Sequence, residues 1–302
     1  MADSKTFCVQ RRVVAHKTVE SWMDTPHVSV LYELDASALT ALVRACGGDP
    51  KYDGVRVTLN SVLLKAIAAA LSKSPEMNGY IWYDRHASVG RVTSVEAVHI
   101  AIPLRMADGR MVTPILRGVD KRSLREVCTG VEDIRRRLAG TDLDCLLLEA
   151  GLEDTWQRLR RGQFLTVLRR LYSNFIGPHR LGRPTMAERR AHKRIPATER
   201  LVPADLVDAT TLVSNVGSSV PGLRVRLSML MIISPNTTAI SLGASQPAPV
   251  AVPDGNGGYR VEIRPMLPVT VCFDHRAMDF EHVTGFLKEL DRIAANPSEL
   301  AD

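Results

Sequence analysis

Two periods govern the apolar positions of this chain. Residues 27–36, HVSVLYELDA, alternate apolar and polar side chains, which predicts a half-buried strand. Asp35, Ala36 and Ser37 lead into ALTALVRAC, a helical stretch that ends at Gly47-Gly48. From residue 60 to 73 the apolar stripe Leu63, Leu64, Ile67, Ala68 and Leu71 has helical spacing, and Ser74-Pro75 stops it. Strand-like runs follow at Gly79–Tyr83, Ala97–Arg105 and Met111–Leu116. Asp108-Gly109 marks a hairpin between the last two, because glycine tolerates positive φ. Asp120–Leu138 reads as a helix closing at Gly140. The last third predicts strands at 209–214, 224–234, 237–243, 259–264 and 267–273, a turn at Asp254–Gly258, and a helix over 280–294. Strands and helices mix without strict βαβ alternation. That pattern predicts an α+β sandwich rather than a doubly wound sheet.

The stretch from about 141 to 200 differs in kind. Between Trp156 and Arg200 twelve arginines and lysines face only Glu188 and Glu199. Residues 156–176 interleave that charge with Leu159, Phe164, Leu165, Leu168, Leu171 and Tyr172, the pattern of a basic amphipathic helix. The part after Gly177-Pro178 reads as a loop. Three roles fit: a solvated helix pair packed on the assembly, a segment lying on an anionic membrane, and an anion-binding lid.

Composition narrows the class. Of 302 residues, 45% are hydrophobic and 24% charged, the balance of a soluble globular protein. A net charge of +6 attracts anions, and by itself it does not choose among nucleic acid, acidic lipid and the phosphates of a coenzyme. At 5% aromatic content, base-stacking surfaces and hence nucleic-acid binding are disfavoured. Cys8, Cys46, Cys128, Cys145 and Cys272 form no CxxC pair, which argues against a zinc ribbon or a disulfide framework and for a reducing cytoplasm. No metal is implied. No run is apolar and long enough to span a bilayer, and the first residues lack a signal-peptide core.

Two stretches carry candidate chemistry. In FDHRAMDF, residues 273–280, His275 sits at a strand-to-helix turn, and an imidazole titrating near pH ~6.5 can take and return a proton. Taken alone, this turn reads more readily as a bland surface feature. In TLVSNVG, residues 211–217, a strand ends in Ser214, Asn215 and then a glycine. Such a hydroxyl can donate to a developing oxyanion, a contact whose loss costs about 10²–10³ in rate. Alone, it is an ordinary strand-end turn.

Together and in this order, the two resemble the catalytic domain of the 2-oxo acid dehydrogenase acyltransferases, with their HxxxDG and T-x-S-N-x-G motifs, and more distantly chloramphenicol acetyltransferase. ESWMDTPHV (20–28), LLKAIAAALSKSPEMN (63–78), and IAIPL (100–104) with Asp108-Gly109 and VTPILR (112–117) resemble that family in the same order. The likeness covers about 11–138 and 203–296. It implies a chloramphenicol acetyltransferase-like two-layer α+β sandwich, a single catalytic domain with a basic helical insertion at about 141–200. It also implies catalytic roles for His275 as general base, Ser214 as oxyanion donor and Asp279 as a brace of the histidine loop. Arg11, Arg12 and Arg276 are candidate partners of Asp279, and Asn215 is a candidate coenzyme contact. The family's trimers, with the site between subunits, imply a homotrimer or a multiple of it.

Two departures bear on the site. Phe280 stands where the family has glycine, which predicts a reshaped histidine loop. Asp208-Ala209 replaces a Gly-Gly ahead of the serine strand. Only about ten residues precede the first matching stretch, with no lipoyl-like segment. The expected donor is therefore free acetyl-CoA or another acyl-CoA, bound as a co-substrate. The expected acceptor is a small hydroxylated molecule such as a hydroxymethyl tetronate. A CoA/lipoamide S-acyltransferase and a non-catalytic trimeric scaffold are the alternatives.

Overall fold

The computed structural model describes residues 7–160, 164, 184–219 and 222–301. Most of the 156–176 stretch, on which the membrane-surface reading rests, falls outside them. Among the described residues, no helix is long and apolar enough to cross a membrane.

The opening element is a helix, α1 (Val9–Asp24), which the pattern did not announce. Only Ser21 of it is buried, while Val19, Trp22 and Met23 are exposed, so it presents no apolar stripe to its own core. Strand β1 (His27–Asp35) and helix α2 (Ser37–Cys46) follow as expected. Helix α3 (Leu59–Ser72) starts where the Thr58 side chain accepts from the Ser61 N–H. Its stripe is buried, each large apolar side chain contributing about 1.5–3 kcal/mol.

Strands β2 (Gly79–Asp84) and β3 (Val89–Ser94) form a separate hairpin. The expected 97–105 and 111–116 strands are each broken in two: β4 (Ile100–Ala101) with β5 (Leu104–Arg105), and β6 (Met111–Val112) with β7 (Ile115–Leu116). Gly109 closes the β5–β6 hairpin at φ 85°. Helix α4 (Leu124–Ala139) opens with a capping box of Ser123 and Glu126 and buries Leu124, Val127, Val131, Ile134 and Leu138.

After α5 (Leu143–Arg160), a further helix α6 (Met186–Arg194) stands where the pattern suggested a loop. Its density of arginine and lysine masks the signal. The signal is Thr185 with Glu188 three residues on, a second capping box, and a single buried anchor, His192.

The remaining strands are β8 (Thr211–Asn215), β9 (Thr238–Leu242), β10 (Gln246–Pro253) and β11 (Tyr259–Asp274), before helix α7 (Phe280–Ala295). The main sheet runs β1-β11-β9-β8-β4-β7, with β10 added to β11. Only the β8–β9 and β4–β8 pairs are parallel.

Three strand expectations are corrected. Residues 224–234 alternate apolar side chains but form no strand: β9, on which they lie, already has β8 and β11 on its two edges. The segment instead crosses the sheet face, where Leu230 and Ile232 cover Ala239 and Cys272, and Val225 O accepts from Ala244 N–H at 2.8 Å. The strands expected at 259–264 and 267–273 are one strand, continuous through Pro265 and Pro268. Its partner β10 was hidden by Pro247, Pro249 and Pro253, tolerated because an edge strand needs no outward N–H.

Helices α2, α3, α4 and α7 cover one face of the sheet. Their shared core joins Leu34, Leu63, Ile67, Val131, Phe273 and Phe286. This is the expected two-layer α+β sandwich. It sets the C-terminal end of β11 and the C-terminal end of β8 at two different places on one rigid sheet.

Candidate active site

His275 follows the last residue of β11. Asp274 closes that strand fully buried, and it holds the turn. Its Oδ1 accepts from the Arg276 backbone N–H at 2.9 Å and from Nε at 3.0 Å, and its Oδ2 from Nη2 at 2.6 Å. The Arg276 guanidinium lies 5.5 Å from the Tyr83 ring centroid on β2. The hydrogen bonds to Asp274 raise the already high pKa of Arg276. The His275 backbone N–H donates to Pro26 O at 3.0 Å, tying the turn to the start of β1. The ring, half-exposed, tilts against Phe273 with centroids 5.8 Å apart.

Asp279 lies beside His275, with its Oδ1 3.4 Å from Nδ1. A carboxylate there favours the proton on Nδ1 and leaves Nε2 as the basic nitrogen. Asp279 also caps α7, and its backbone N–H donates to His282 Nδ1 at 3.2 Å. Arg276, one of the candidate partners of Asp279, is engaged by Asp274 instead. The reason is reach: the guanidinium folds back onto a buried carboxylate two residues earlier.

Ser214 lies on β8, half-buried, opposite Ser241. After Asn215 the chain makes one helical turn, Val216–Ser219. Gly217 has no alternative in that turn, because a Cβ there would stand 2.2 Å from Gly243 O. Asn215 pins the turn: its Nδ2 donates to Asn60 Oδ1 at 2.9 Å and its Oδ1 accepts from Ser218 N–H at 2.9 Å.

A cavity of about 790 Å³ opens beside this turn. Asn60, Asn215, Ser218 and Ser219 form its polar part; Ile102, Pro103, Leu104 and Leu138 form apolar walls; Arg105 and Arg135 supply charge. Among the described residues, no group of three or more His, Cys, Asp or Glu side chains is placed to hold a metal.

The two motifs do not meet within one chain. Ser214 is level with Ser241 on β9, and Ser241 with Thr270 on β11. His275 lies five positions beyond Thr270 (275 − 270), so two strand spacings and five residues separate it from Ser214, roughly 18 Å.

The profile of the 2-oxoacid dehydrogenases acyltransferase (catalytic domain) family matches residues 4–145 and 185–301. The chain belongs to that family. The stretch that the profile skips, 146–184, lies inside the basic segment 141–200.

This family member is 23% identical, over 293 residues, to the dihydrolipoyllysine-residue acetyltransferase component of the mitochondrial pyruvate dehydrogenase complex of Neurospora crassa. The alignment covers 96% of this chain and 48% of that protein, so the chain spans about half the length of the relative. It is 35% identical over 116 residues to the lipoamide acyltransferase component of the branched-chain alpha-keto acid dehydrogenase complex of Pseudomonas aeruginosa, covering 38% of this chain and 26% of that one. Two solved structures share the fold. The cubic core of the pyruvate dehydrogenase multienzyme complex superposes with a TM-score of 0.66 at 19% identity, covering 99% of this chain and 94% of that chain. Azotobacter vinelandii dihydrolipoamide acetyltransferase, from a study of a serine, a histidine and an asparagine in its catalytic mechanism, gives 0.65 at 19% identity with the same coverage.

Both departures from the family pattern have definite local outcomes. Phe280 is the first residue of α7, and φ is not positive there, so the expected reshaping by a strained Phe does not arise. Asp208, in contrast, takes φ 68°, a left-handed conformation that Asp tolerates better than most residues.

Asp274, Tyr83, Asn60, Arg105 and Arg135 were not singled out by the motifs. Asp274 lay within one, and the alternation of acid, histidine and base could have flagged it. The others converge from distant positions and leave no local signal.

Proposed function

We propose that this chain is an acyltransferase module that moves an acyl group between CoA and a dihydrolipoyl-type thiol, at sites built between neighbouring copies. The observation that carries the reading is the separation of Ser214 and His275 across one sheet, each at a strand end. A histidine from one copy then faces the serine of the next. His275 Nε2 takes the proton of the attacking thiol as its sulfur bonds to the thioester carbonyl carbon. The tetrahedral oxyanion accepts a hydrogen bond from Ser214 Oγ. As the intermediate collapses, the C–S bond to the leaving thiol breaks, and that sulfur takes the proton back from the imidazolium. Asp279 holds the ring orientation throughout.

The names of the relatives support a thiol acceptor, since both are lipoyl-linked acyltransferases. In the Azotobacter protein, the histidine and asparagine under study stand four positions apart, as His275 and Asp279 do here. A tetronate acceptor has no such support. The assembly we propose is a homotrimer or a multiple of it. Exposed Trp22 and Met23 on α1 and Tyr259, Val261 and Ile263 on β11 offer apolar area for it. CoA and the acyl carrier are substrates, and no tightly bound cofactor enters the mechanism.

The test follows CoA release from acetyl-CoA with dihydrolipoamide and, separately, with hydroxylated acceptors. Turnover with dihydrolipoamide that His275→Ala abolishes supports the reading. An equal background rate in both proteins removes it, and turnover only with alcohols moves the acceptor class to hydroxyls.

A further inference from the structure

We propose that Ser241 is a positioning residue for the oxyanion donor: its hydroxyl donates to Ser214 Oγ and turns the Ser214 hydrogen toward the developing oxyanion. This rests on the acyl-transfer reading above. An oxyanion donor works by being aimed in advance. A serine hydroxyl rotates freely unless a neighbouring group fixes it. Ser214 lies near the end of β8, and its Oγ makes no hydrogen bond among the described residues. The polar groups of the following turn are committed elsewhere. Asn215 engages Asn60 and the Ser218 N–H, and the Ser218 and Ser219 hydroxyls both donate to Asn215 O. On the other flank, β4 gives way to Ile102 and Pro103, which carry no hydroxyl.

Ser241 on β9 is the neighbour that remains. It pairs in register with Ser214, so both side chains lie on one face of the sheet. It is fully buried, and its Oγ has no partner among the described residues. A buried hydroxyl in that state is unfavourable for folding, so its presence calls for another use. The bond to Ser214 is within reach. Three positions earlier, on the other face of the same ladder, Thr238 Oγ1 donates to Thr211 Oγ1 at 3.0 Å. A χ1 change between staggered wells gives Ser241 and Ser214 the equivalent contact. Thr270, buried and level with Ser241 on β11, places a third hydroxyl behind it. An oxyanion only accepts, so the row orders in one direction. Thr270 donates to Ser241, Ser241 to Ser214, and Ser214 to the oxyanion, each bond polarising the next. No proton changes owner along the row.

The experiment follows CoA release from acetyl-CoA with dihydrolipoamide, alongside denaturant unfolding, for Ser241→Ala, Ser214→Ala and the pair. Ser241→Ala should lower kcat on the order of tenfold and leave both KM values unchanged, because the buried hydroxyl touches neither substrate. In a Ser214→Ala background it should cost nothing further. Ser241→Cys keeps the shape but donates weakly, and it should lose nearly as much as Ser241→Ala. A wild-type kcat in Ser241→Cys would assign the residue to packing and overturn the proposal. The unfolding midpoints report the bond without turnover: the shift of the double variant should differ from the sum of the single shifts. Additive midpoints, or an unchanged kcat in Ser241→Ala, would also overturn it. Coupled midpoints in a wild-type protein that turns over no acceptor leave the Ser241–Ser214 hydrogen bond standing and remove the acyl-transfer reading.

Discussion

Ser214 lies on β8 and His275 just past the end of β11 in the same sheet, two strands apart and five residues out of level. The row Ser214–Ser241–Thr270 is fixed by continuous ladders, and the core beneath it is close-packed. No side-chain rotation closes a gap of roughly 18 Å. In the proposed reaction, the serine and the histidine would therefore come from two copies of the chain.

Complementation tests that directly. Ser214→Ala and His275→Ala variants, each inactive alone, should regain activity when co-expressed. In a randomly mixed ring, an interface has both wild-type groups about one time in four, so recovery of about a quarter of wild-type activity is expected. No recovery in mixtures shown by mass spectrometry to contain both variants would sink the inter-subunit site.

The His275 turn rests on the Asp274–Arg276 pair. Asp274 is fully buried, so Arg276→Ala strands its charge, a loss of about 3–5 kcal/mol when one partner of a buried pair is removed. Denaturant unfolding should show that loss together with reduced kcat. His275→Ala, at a half-exposed ring, should stay within about 0.5 kcal/mol of wild type. An Arg276→Ala protein of wild-type stability would mean that Asp274 is satisfied by another route.

Two histidines set an acid limit. Burial lowers the pKa of His99, helped by the Arg117 charge, and burial lowers that of His192, helped by Arg200. In both, the folded state binds the proton less readily than the unfolded chain. Their contribution is present above the ordinary value of 6.5 and is lost as pH falls toward the lowered folded values. Unfolding free energy should fall as pH drops below about 6.5, above the ordinary titration of carboxylates. His192→Gln should flatten that slope. Equal slopes in the two proteins would remove His192 from the account.

Legibility in the sequence followed locality. Helices α3 and α4 were readable because cap and stripe sit in one short window, Thr58 with Leu63–Leu71 and Ser123 with Val127–Leu138. Helix α1 was not, since the apolar side chains Trp22 and Met23 face away from its own core. Prolines hid β10, and free alternation at 224–234 mimicked a strand that had no edge to join. The site divides the same way. Ser214 and His275 were found through ordered motifs, whereas Asn60 is joined to Asn215 only by the fold, 155 residues apart.

Phe280 offers the last test, because sequence and structure pull in opposite directions there. Substitution of the family glycine by Phe suggests a strained loop and impaired chemistry. In the fold, Phe280 opens α7 with ordinary helical angles, and its ring is exposed. No contact of the His275 ring depends on it: the ring meets Phe273 and Asp279. Phe280→Gly should therefore leave kcat/KM within about twofold, and it should cost up to about 1 kcal/mol through the lower helix propensity of glycine. If Phe280→Gly instead raises kcat/KM tenfold or more, the loop in the native protein is held away from its productive shape. The ordinary helical backbone at residue 280 would then not be the sign of a competent site.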